Sequence, residues 1–277
     1  MPQPLLSRAR TALTVVLTVP VQDAEVASDA LWNLGAAAVE ERTLGDVVEL
    51  RAALGERRPL LRRRLAHLRW PWRFEKVDLS IADRWRDFAE PTYVDDRIVV
   101  VPAWLPEAEL RGQDIVLTIE PGPTFGLGNH PTTVACLRAL GAEIRAGDTV
   151  LDVGTGSGIL AVAAVRLGAA HAHGLDLVPA ALDVVVANAR RNEVADRVTV
   201  GLERLQEISE PSDVVVANIL APALRELAAD LVRLTRRTLI LSGLLDGRYA
   251  DVVEAVHPLV LRDKIVVDGW VALILGR

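Results

Sequence analysis

The chain has 277 residues, enough for one large domain or two smaller ones, and its formal charge is −6. A net charge of this sign gives no reason to expect bulk nucleic-acid binding. Hydrophobic residues make up 51% of the chain but aromatic residues only 4%, so the core must consist mainly of Ala, Val and Leu. The single cysteine, Cys136, excludes an internal disulfide and indicates a reducing compartment. Because no uncharged apolar run reaches membrane-spanning length, we expect a cytoplasmic protein without a membrane anchor.

Residues 11–79 alternate between strand-like apolar runs and segments with apolar residues three to four positions apart. The resulting order is βαββαβ, that of a ferredoxin-like fold. Asp23 is the predicted N-cap of the first helix. We therefore expect residues 1–79 to form a small α+β domain, a kind that commonly serves as a binding module for substrate recognition. The predicted strands are 11–19, 36–41, 46–52 and 72–79, and the predicted helices are 23–34 and 56–68.

The second predicted helix and its surroundings are rich in arginine. Two interpretations stay open: a solvated helix face in an arginine-rich protein, or a docking surface for an acidic or RNA-bearing partner. The side chains concerned are Arg57, Arg58, Arg62, Arg63, Arg64 and Arg69.

Residues 80–109 contain three prolines and two separated tryptophans, Trp85 and Trp104, and we interpret them as a linker with a short helix at 83–88. Residues 110–277 then follow a strand–helix rhythm, which predicts an α/β domain with a mainly parallel sheet. Within it, a Pro- and Gly-rich loop at 121–128 precedes a helix that begins at Pro131. A loop of this length and composition favours a binding role.

The strongest motif of the chain combines a strand, a glycine loop and a helix. Thr149–Val153 is an apolar run rich in β-branched residues, Gly154, Gly156 and Gly158 follow, and a helix starts at Ile159. This is the nucleotide-binding turn of α/β sheets. A dinucleotide fingerprint would be G-x-G-x-x-G, whereas here the third glycine comes one position earlier. The motif resembles the first motif of class I S-adenosylmethionine (SAM) methyltransferases, and an NAD enzyme is the alternative.

Two further features agree with this interpretation. Asp176 lies at the end of the next predicted strand, where a carboxylate can accept hydrogen bonds from both hydroxyls of a ribose. At the C-terminus, predicted strands Lys264–Val267 and Trp270–Leu275 flank Asp268-Gly269, a strong hairpin signal. An antiparallel hairpin closing a parallel sheet is typical of class I methyltransferases. The predicted fold class is therefore α/β, a Rossmann-like class I methyltransferase domain preceded by a ferredoxin-like domain.

With these residues in hand, the chain resembles the PrmA family, bacterial methyltransferases of a large-subunit ribosomal protein in the stalk base. Together with the βαββαβ start, the matching segments cover nearly the whole chain. The loop sequence and the Asn-Ile-Leu are specific to this family, and the glycine motif is general to the class. The segments are Pro121–Thr133, Leu151–Leu160, Gly174–Asp176 with Asn188–Asn192, and Asp213–Leu220.

The resemblance implies a cofactor, SAM, and a role for particular residues. Thr133 would contact the methionine part of SAM, and Gly154 and Gly156 would approach the same part with their backbones. Asp176 would hold the ribose. Asn218 would lie beside the sulfonium and the incoming amine, and it is the candidate catalytic residue as well as a cofactor-binding one. The implied activity is transfer of methyl groups to lysine side chains and, as a further acceptor, the N-terminus of the ribosomal protein.

Other interpretations of single residues remain open. His130 fits a contact with the substrate or a capping residue equally well. His171 and His173 share a strand face, but the sequence offers no third ligand, so we expect no metal site. Cys136 lies within a predicted helix and is interpreted as a core residue.

The chain departs from the common family pattern at Leu127, Asn129 and Thr155, and its linker, with Trp85 before Glu90-Pro91, lacks a second tryptophan and a His-Pro pair. These changes leave the cofactor site well supported and the acceptor less so. Alternatives are therefore a methyltransferase of the same fold acting on another protein, an RNA or a small molecule, and a non-catalytic SAM-binding module. We expect a monomer that needs neither nucleic acid nor membrane.

Overall fold

The computed structural model describes residues 11–34, 36–54, 58–78, 89–105, 112–121 and 126–277. The chain divides into two compact units, Met1–Ala89 and Glu90–Arg277. Among the described residues, no helix is both long enough and apolar enough to cross a membrane. The predicted helix at 83–88 lies outside the described residues.

The first unit contains a four-stranded antiparallel sheet in the order β2-β3-β1-β4, with two helices. Its apolar core includes Val15, Leu17 and Leu50 from the sheet and Leu31 and Leu61 from the helices. This arrangement confirms the βαββαβ order and the ferredoxin-like topology. The elements are β1 (Thr11–Pro20), α1 (Ala24–Asn33), β2 (Ala36–Leu44), β3 (Val47–Leu54), α2 (Arg58–Leu65) and β4 (Trp72–Asp78), with a short 3₁₀ turn at Val21–Asp23.

Several arginines of this unit lie on its surface, as either interpretation of the cluster requires. Arg62, Arg63 and Arg64 are exposed on α2. Asp23, the predicted N-cap, accepts a hydrogen bond at 2.8 Å from the indole Nε1 of Trp70, which lies 47 residues away. The carboxylate of Asp23 therefore ties the start of α1 to the segment that precedes β4.

The second unit is built on a seven-stranded sheet in the order β10-β9-β8-β11-β12-β14-β13. Its first five strands are parallel, and β14 pairs antiparallel with both β12 and β13. The hairpin turn at Asp268-Gly269 places the last strand inside the sheet. The predicted mixed sheet is confirmed. The strands are β8 (Thr149–Val153), β9 (His171–Leu175), β10 (Val198–Gly201), β11 (Ser212–Asn218), β12 (Thr235–Leu245), β13 (Val260–Val267) and β14 (Trp270–Gly276).

A separate three-stranded sheet belongs to the second unit. It contains β5 (Thr92–Tyr93), β6 (Ile98–Pro102) and β7 (Ile115–Ile119), in that order. Two of these strands fall within the segment interpreted as a linker, and β7 begins the predicted second domain. Parallel pairing of β6 with β7 joins the two segments in one sheet.

Six helices of the second unit lie within the described residues. The apolar spacing of residues 223–233 predicts a single helix, whereas the structure has two helices separated by a turn at Leu227. Leu224, Ala228 and Leu231 are all buried, and their apolar spacing continues across the turn. Periodicity alone therefore cannot reveal the break. No prediction from the sequence covers the last helix. The helices are α3 (Pro131–Glu143), α4 (Ile159–Arg166), α5 (Ala180–Arg191), α6 (Ala221–Glu226), α7 (Ala228–Leu234) and α8 (Ala250–Ala255).

Two aliphatic clusters cover the two faces of the large sheet. Val150 belongs to the cluster that includes α3, α4 and α5, whereas the next residue, Leu151, belongs to the cluster that includes α6, α7 and α8. Successive side chains of a strand point to opposite faces, and accordingly β8, β9, β11, β12 and β14 each contribute to both clusters. Cys136 is fully buried in the first cluster, which confirms it as a core residue, and burial raises the pKa of its thiol to about 12.

Candidate functional site

A cavity of about 700 Å³ lies at the carboxyl ends of the parallel strands. In α/β sheets this edge is where ligands bind, since the loops that follow the strands meet there. The lining combines apolar side chains, exposed glycine backbone and a few polar groups. The lining residues are His130, Thr132, Gly154, Gly156, Asp176, Leu177, Val178, Asn218, Ile219, Leu220, Ala223, Gly243 and Trp270.

The glycine loop follows β8 directly and supplies backbone to the cavity. Gly154 and Gly156 have φ angles of +75° and +55°, in the left-handed region that favours glycine. Gly158 begins α4 with a φ of +80°, and a Cβ atom there would lie 2.9 Å from Cγ1 of Val185. The loop therefore needs glycine both for its turn and for the close packing of α4 against α5.

Asp176 follows β9 and borders the cavity. One carboxylate oxygen accepts a hydrogen bond from the N–H of Gly156 at 2.9 Å, and the other accepts one from the N–H of Val178 at 2.9 Å. The side chain therefore spans from the glycine loop to the segment that leads into α5. Each oxygen can accept a second hydrogen bond, which leaves acceptor capacity for a ligand.

Asn218 and Thr133 approach each other from different elements. Asn218 is the last residue of β11, and Thr133 lies in the first turn of α3. The Nδ2 group of Asn218 lies 3.5 Å from the Thr133 hydroxyl oxygen, a long and weak hydrogen bond. A small pocket lined by both residues and by Gly154 and Gly156 adjoins this contact.

His130 and Trp270 form an aromatic part of the cavity wall. The two rings pack edge to face with centroids 5.3 Å apart. His130 is also the N-cap of α3, since its Nδ1 accepts from the N–H of Thr132 at 3.3 Å and lies 2.7 Å from the Thr132 hydroxyl. His130 is therefore a capping residue in this structure, and its ring also lines the cavity.

A buried carboxyl group lies beneath the glycine loop. Asp152 of β8 is fully buried, and its Oδ2 accepts from the Thr155 hydroxyl at 2.6 Å and from the N–H of Ala161 at 3.2 Å. Its Oδ1 is buried and has no hydrogen-bond partner within the described part of the chain. Burial raises the pKa of Asp152 to about 6, against the opposing effect of the bonds from Thr155 and Ala161.

The structure brings all five predicted site residues together. Gly154, Gly156 and Asn218 line both the cavity and the adjoining pocket, Asp176 lines the cavity, and Thr133 lines the pocket. Their roles toward a ligand remain predictions.

Several lining residues were not predicted as part of the site. Trp270 is the clearest, because the sequence marks it only as one end of a hairpin. Leu177 and Val178 directly follow Asp176, and this position in the sequence could have predicted that they line the cavity. Among the described residues, no cluster of three or more potential ligands suits a metal ion.

The fold and the site together define a class of protein. Five parallel strands closed by an antiparallel hairpin, with a glycine loop after β8 and a carboxylate after β9, form a class I methyltransferase fold. The fold class predicted from the sequence is confirmed.

Comparison with known proteins identifies the family. The sequence profile of the ribosomal protein L11 methyltransferase (PrmA) family matches residues 68–277. Ribosomal protein L11 methyltransferases from Anoxybacillus flavithermus and Geobacillus kaustophilus are 37% and 38% identical over 201 and 198 residues, or 71% and 70% of this chain. The chain therefore belongs to the PrmA family, as its motifs indicated.

The matches cover only part of the curated relatives. Each spans 64% of the curated relative's own length. The crystal structure of a ribosomal protein L11 methylase from Lactobacillus delbrueckii subsp. bulgaricus is 26% identical, with a TM-score of 0.62. That comparison covers 69% of this chain and 98% of the other.

Proposed function

We propose that this protein is a SAM-dependent methyltransferase that transfers methyl groups to amines of ribosomal protein L11, lysine side chains foremost. The observation that carries the proposal is the meeting of the glycine loop, Asp176 and Asn218 around one cavity. Membership in a family described by methylation of that protein supports the acceptor.

The residues around the cavity fit SAM. Asp176 uses one hydrogen bond on each carboxylate oxygen, so each retains capacity for a ribose hydroxyl. Gly154, Gly156 and Thr133 would hold the methionine part. Asp176 is the one Asp, Glu, Lys or Arg among the described lining residues, so no Lys or Arg among them opposes a cationic sulfur. When bound, SAM supplies a reactive methyl group on its sulfonium.

The protein's contribution is to position and neutralise the acceptor amine. A lysine amine has an ordinary pKa of about 10.4, so at pH 7 about one in a few thousand is neutral, a cost of ~4–5 kcal/mol. The apolar side chains of Ile219, Leu220 and Trp270 would disfavour the charged ammonium by desolvation. The Asn218 amide oxygen would accept an amine N–H and orient the nitrogen lone pair.

We further propose that the protein acts as a monomer in the cytoplasm and modifies L11 as the protein of the ribosomal stalk base, without a requirement for nucleic acid. The ferredoxin-like unit would recognise the substrate. The departures at Leu127 and Asn129 keep a different acceptor as the alternative.

Incubation with radiolabelled SAM and ribosomal proteins of the source organism tests the proposal. We expect label on L11. The Asp176→Ala variant should bind SAM at least 100-fold more weakly and lose labelling, because the ribose would lose its carboxylate acceptor. The matched control, Asp183→Ala, removes an exposed carboxylate of α5 that does not line the cavity. SAM binding without label on L11 would refute the acceptor, and absence of SAM binding would refute the enzyme class.

The role of Asn218 has its own test. Asn218→Ala should lower kcat by about 100-fold while raising the Kd for SAM by less than about fivefold, because the amide contacts the cofactor but acts chiefly by orienting the amine. Steady-state kinetics and titration calorimetry measure the two quantities. Full turnover with normal SAM binding would remove Asn218 from the mechanism.

A further inference from the structure

Two buried side chains outside the cavity connect three segments of the chain that surround it. Asn188 lies on α5 and Ser157 in the glycine loop, and both are fully buried. Among the described residues neither lines the cavity or the adjoining pocket. Any influence that they have on a ligand must therefore pass through other residues.

Asn188 binds the end of β7 as a neighbouring strand would. Its Oδ1 accepts from the N–H of Glu120 at 3.0 Å, and its Nδ2 donates to the carbonyl of the same residue at 2.9 Å. The same Nδ2 group donates at 2.8 Å to the carbonyl of Ser157. One amide side chain thus holds the strand end and the glycine loop together.

Ser157 makes the next connection. Its hydroxyl donates to the carbonyl of Gly126 at 2.6 Å. Gly126 has a φ of +105°, and a Cβ there would lie 2.7 Å from the Ser157 oxygen, so only glycine permits this approach. Residue 126 leads to the helix start at His130–Thr133, one wall of the site. The hydrogen bonds therefore run from Glu120 through Asn188 and Ser157 to Gly126.

We propose that Asn188 and Ser157 are positioning residues that fix the glycine loop against the segments ending at Glu120 and beginning at Gly126. The cofactor-binding backbone and the wall carrying His130 and Thr133 then form one rigid unit. Toward SAM, the inference rests on the proposed function.

The chain contains a matched control for Asn188. Asn192 lies one turn further along the same helix and is 3% exposed. It binds the N–H and carbonyl of Thr118 at 2.8 Å each, so it holds the same strand, β7. It makes no hydrogen bond to the glycine loop. Asn188→Ala and Asn192→Ala should therefore lower the urea midpoint to a similar extent.

The two variants should differ at the site. In the ligand-free protein, NMR should show exchange of the Gly156 and Gly158 amides about 10-fold faster in Asn188→Ala and less than twofold faster in Asn192→Ala. Neither amide bonds to Asn188: Gly156 donates to Asp176 and Gly158 to the carbonyl of Thr155. Equal exchange in the two variants would overturn the inference, because the loss would then be general loosening.

SAM affinity supplies the second measurement. Asn188→Ala and the milder Ser157→Ala should each raise the Kd for SAM about 10-fold, while Asn192→Ala leaves it within twofold. Unchanged affinity in Ser157→Ala would overturn the role of the Ser157 hydroxyl. If the unmodified protein binds no SAM, the proposed function fails, and the amide exchange of the ligand-free variants still decides whether Asn188 positions the loop.

Discussion

The carboxyl groups at the two ends of the seven-stranded sheet have opposite kinds of partners. At the amino end, Asp148 binds both terminal nitrogens of Arg237, at 2.8 and 2.6 Å, and Asp213 binds Thr149 and Arg236. At the carboxyl end, Asp152 is fully buried, and no Lys or Arg of the described ranges pairs with it.

The pKa values follow this difference. Burial alone would raise the pKa of Asp148, but the bonds from Arg237 and the N–H of Arg145 lower it. The N–H of Thr149, with Arg236 and the Thr149 hydroxyl, lowers the pKa of Asp213 to about 2. Asp152, in contrast, has a raised pKa. The amino end is thus built for stability, whereas the carboxyl end carries a cost in stability beneath the glycine loop.

The largest effect on stability should come from breaking the most buried ion pair at the amino end. Arg237→Met leaves Asp148, whose side chain is 8% exposed, without its cation, and should lower the free energy of unfolding by about 3 kcal/mol. Urea unfolding measures this change in the free energy of unfolding. Arg236→Met, which removes an exposed partner of Asp213, should cost less than about 1 kcal/mol. Similar losses in both variants would contradict burial as the deciding factor.

At the carboxyl end, the pH dependence of unfolding should measure how much the ionised Asp152 lowers the stability of the fold. Because its folded pKa is raised, the folded state holds the proton more tightly than the unfolded chain, so stability falls as pH rises from about 4 through 6. Relative to Asp152→Asn, the protein should lose about 3 kcal/mol between pH 4 and pH 7. Urea unfolding of both proteins at several pH values measures the difference. A constant difference would show that Asp152 keeps its ordinary pKa.

The contribution of Asp213 to stability should depend on pH with the opposite sign and a smaller magnitude. Its folded pKa is lowered, so its contribution is present above about pH 4 and is lost as pH falls toward 2. Relative to Asp213→Asn, the loss should be about 2 kcal/mol. Thermal unfolding of both proteins between pH 2 and pH 5 measures this loss of stability. A stability difference that grew on acidification would reverse the proposed contrast between the two sheet ends.

Local chemistry explains why much of the site was predictable. The strand Thr149–Val153 was predicted with its observed bounds, since a β-branched run followed by glycines has few alternatives. Asp176 was found because a parallel sheet places consecutive strand ends at one edge. Motif resemblance supplied Thr133 and Asn218.

Other features depend on contacts between distant residues, and no local pattern predicts them. The break at Leu227 interrupts a continuous apolar repeat. Trp270 reaches the cavity because β14 inserts between β12 and β13, which places a C-terminal residue beside His130.

Sequence alone determined the βαββαβ order of the ferredoxin-like start, the class I methyltransferase fold, the family and the residues expected at the site. These rest on periodicity, turn chemistry and short motifs, all of which act over a few residues. The tertiary structure decided which carboxyl groups are paired and which are buried alone, and which side chains connect Glu120, Ser157 and Gly126. Burial and hydrogen bonding between distant segments set these properties, and they exist only once the chain has folded.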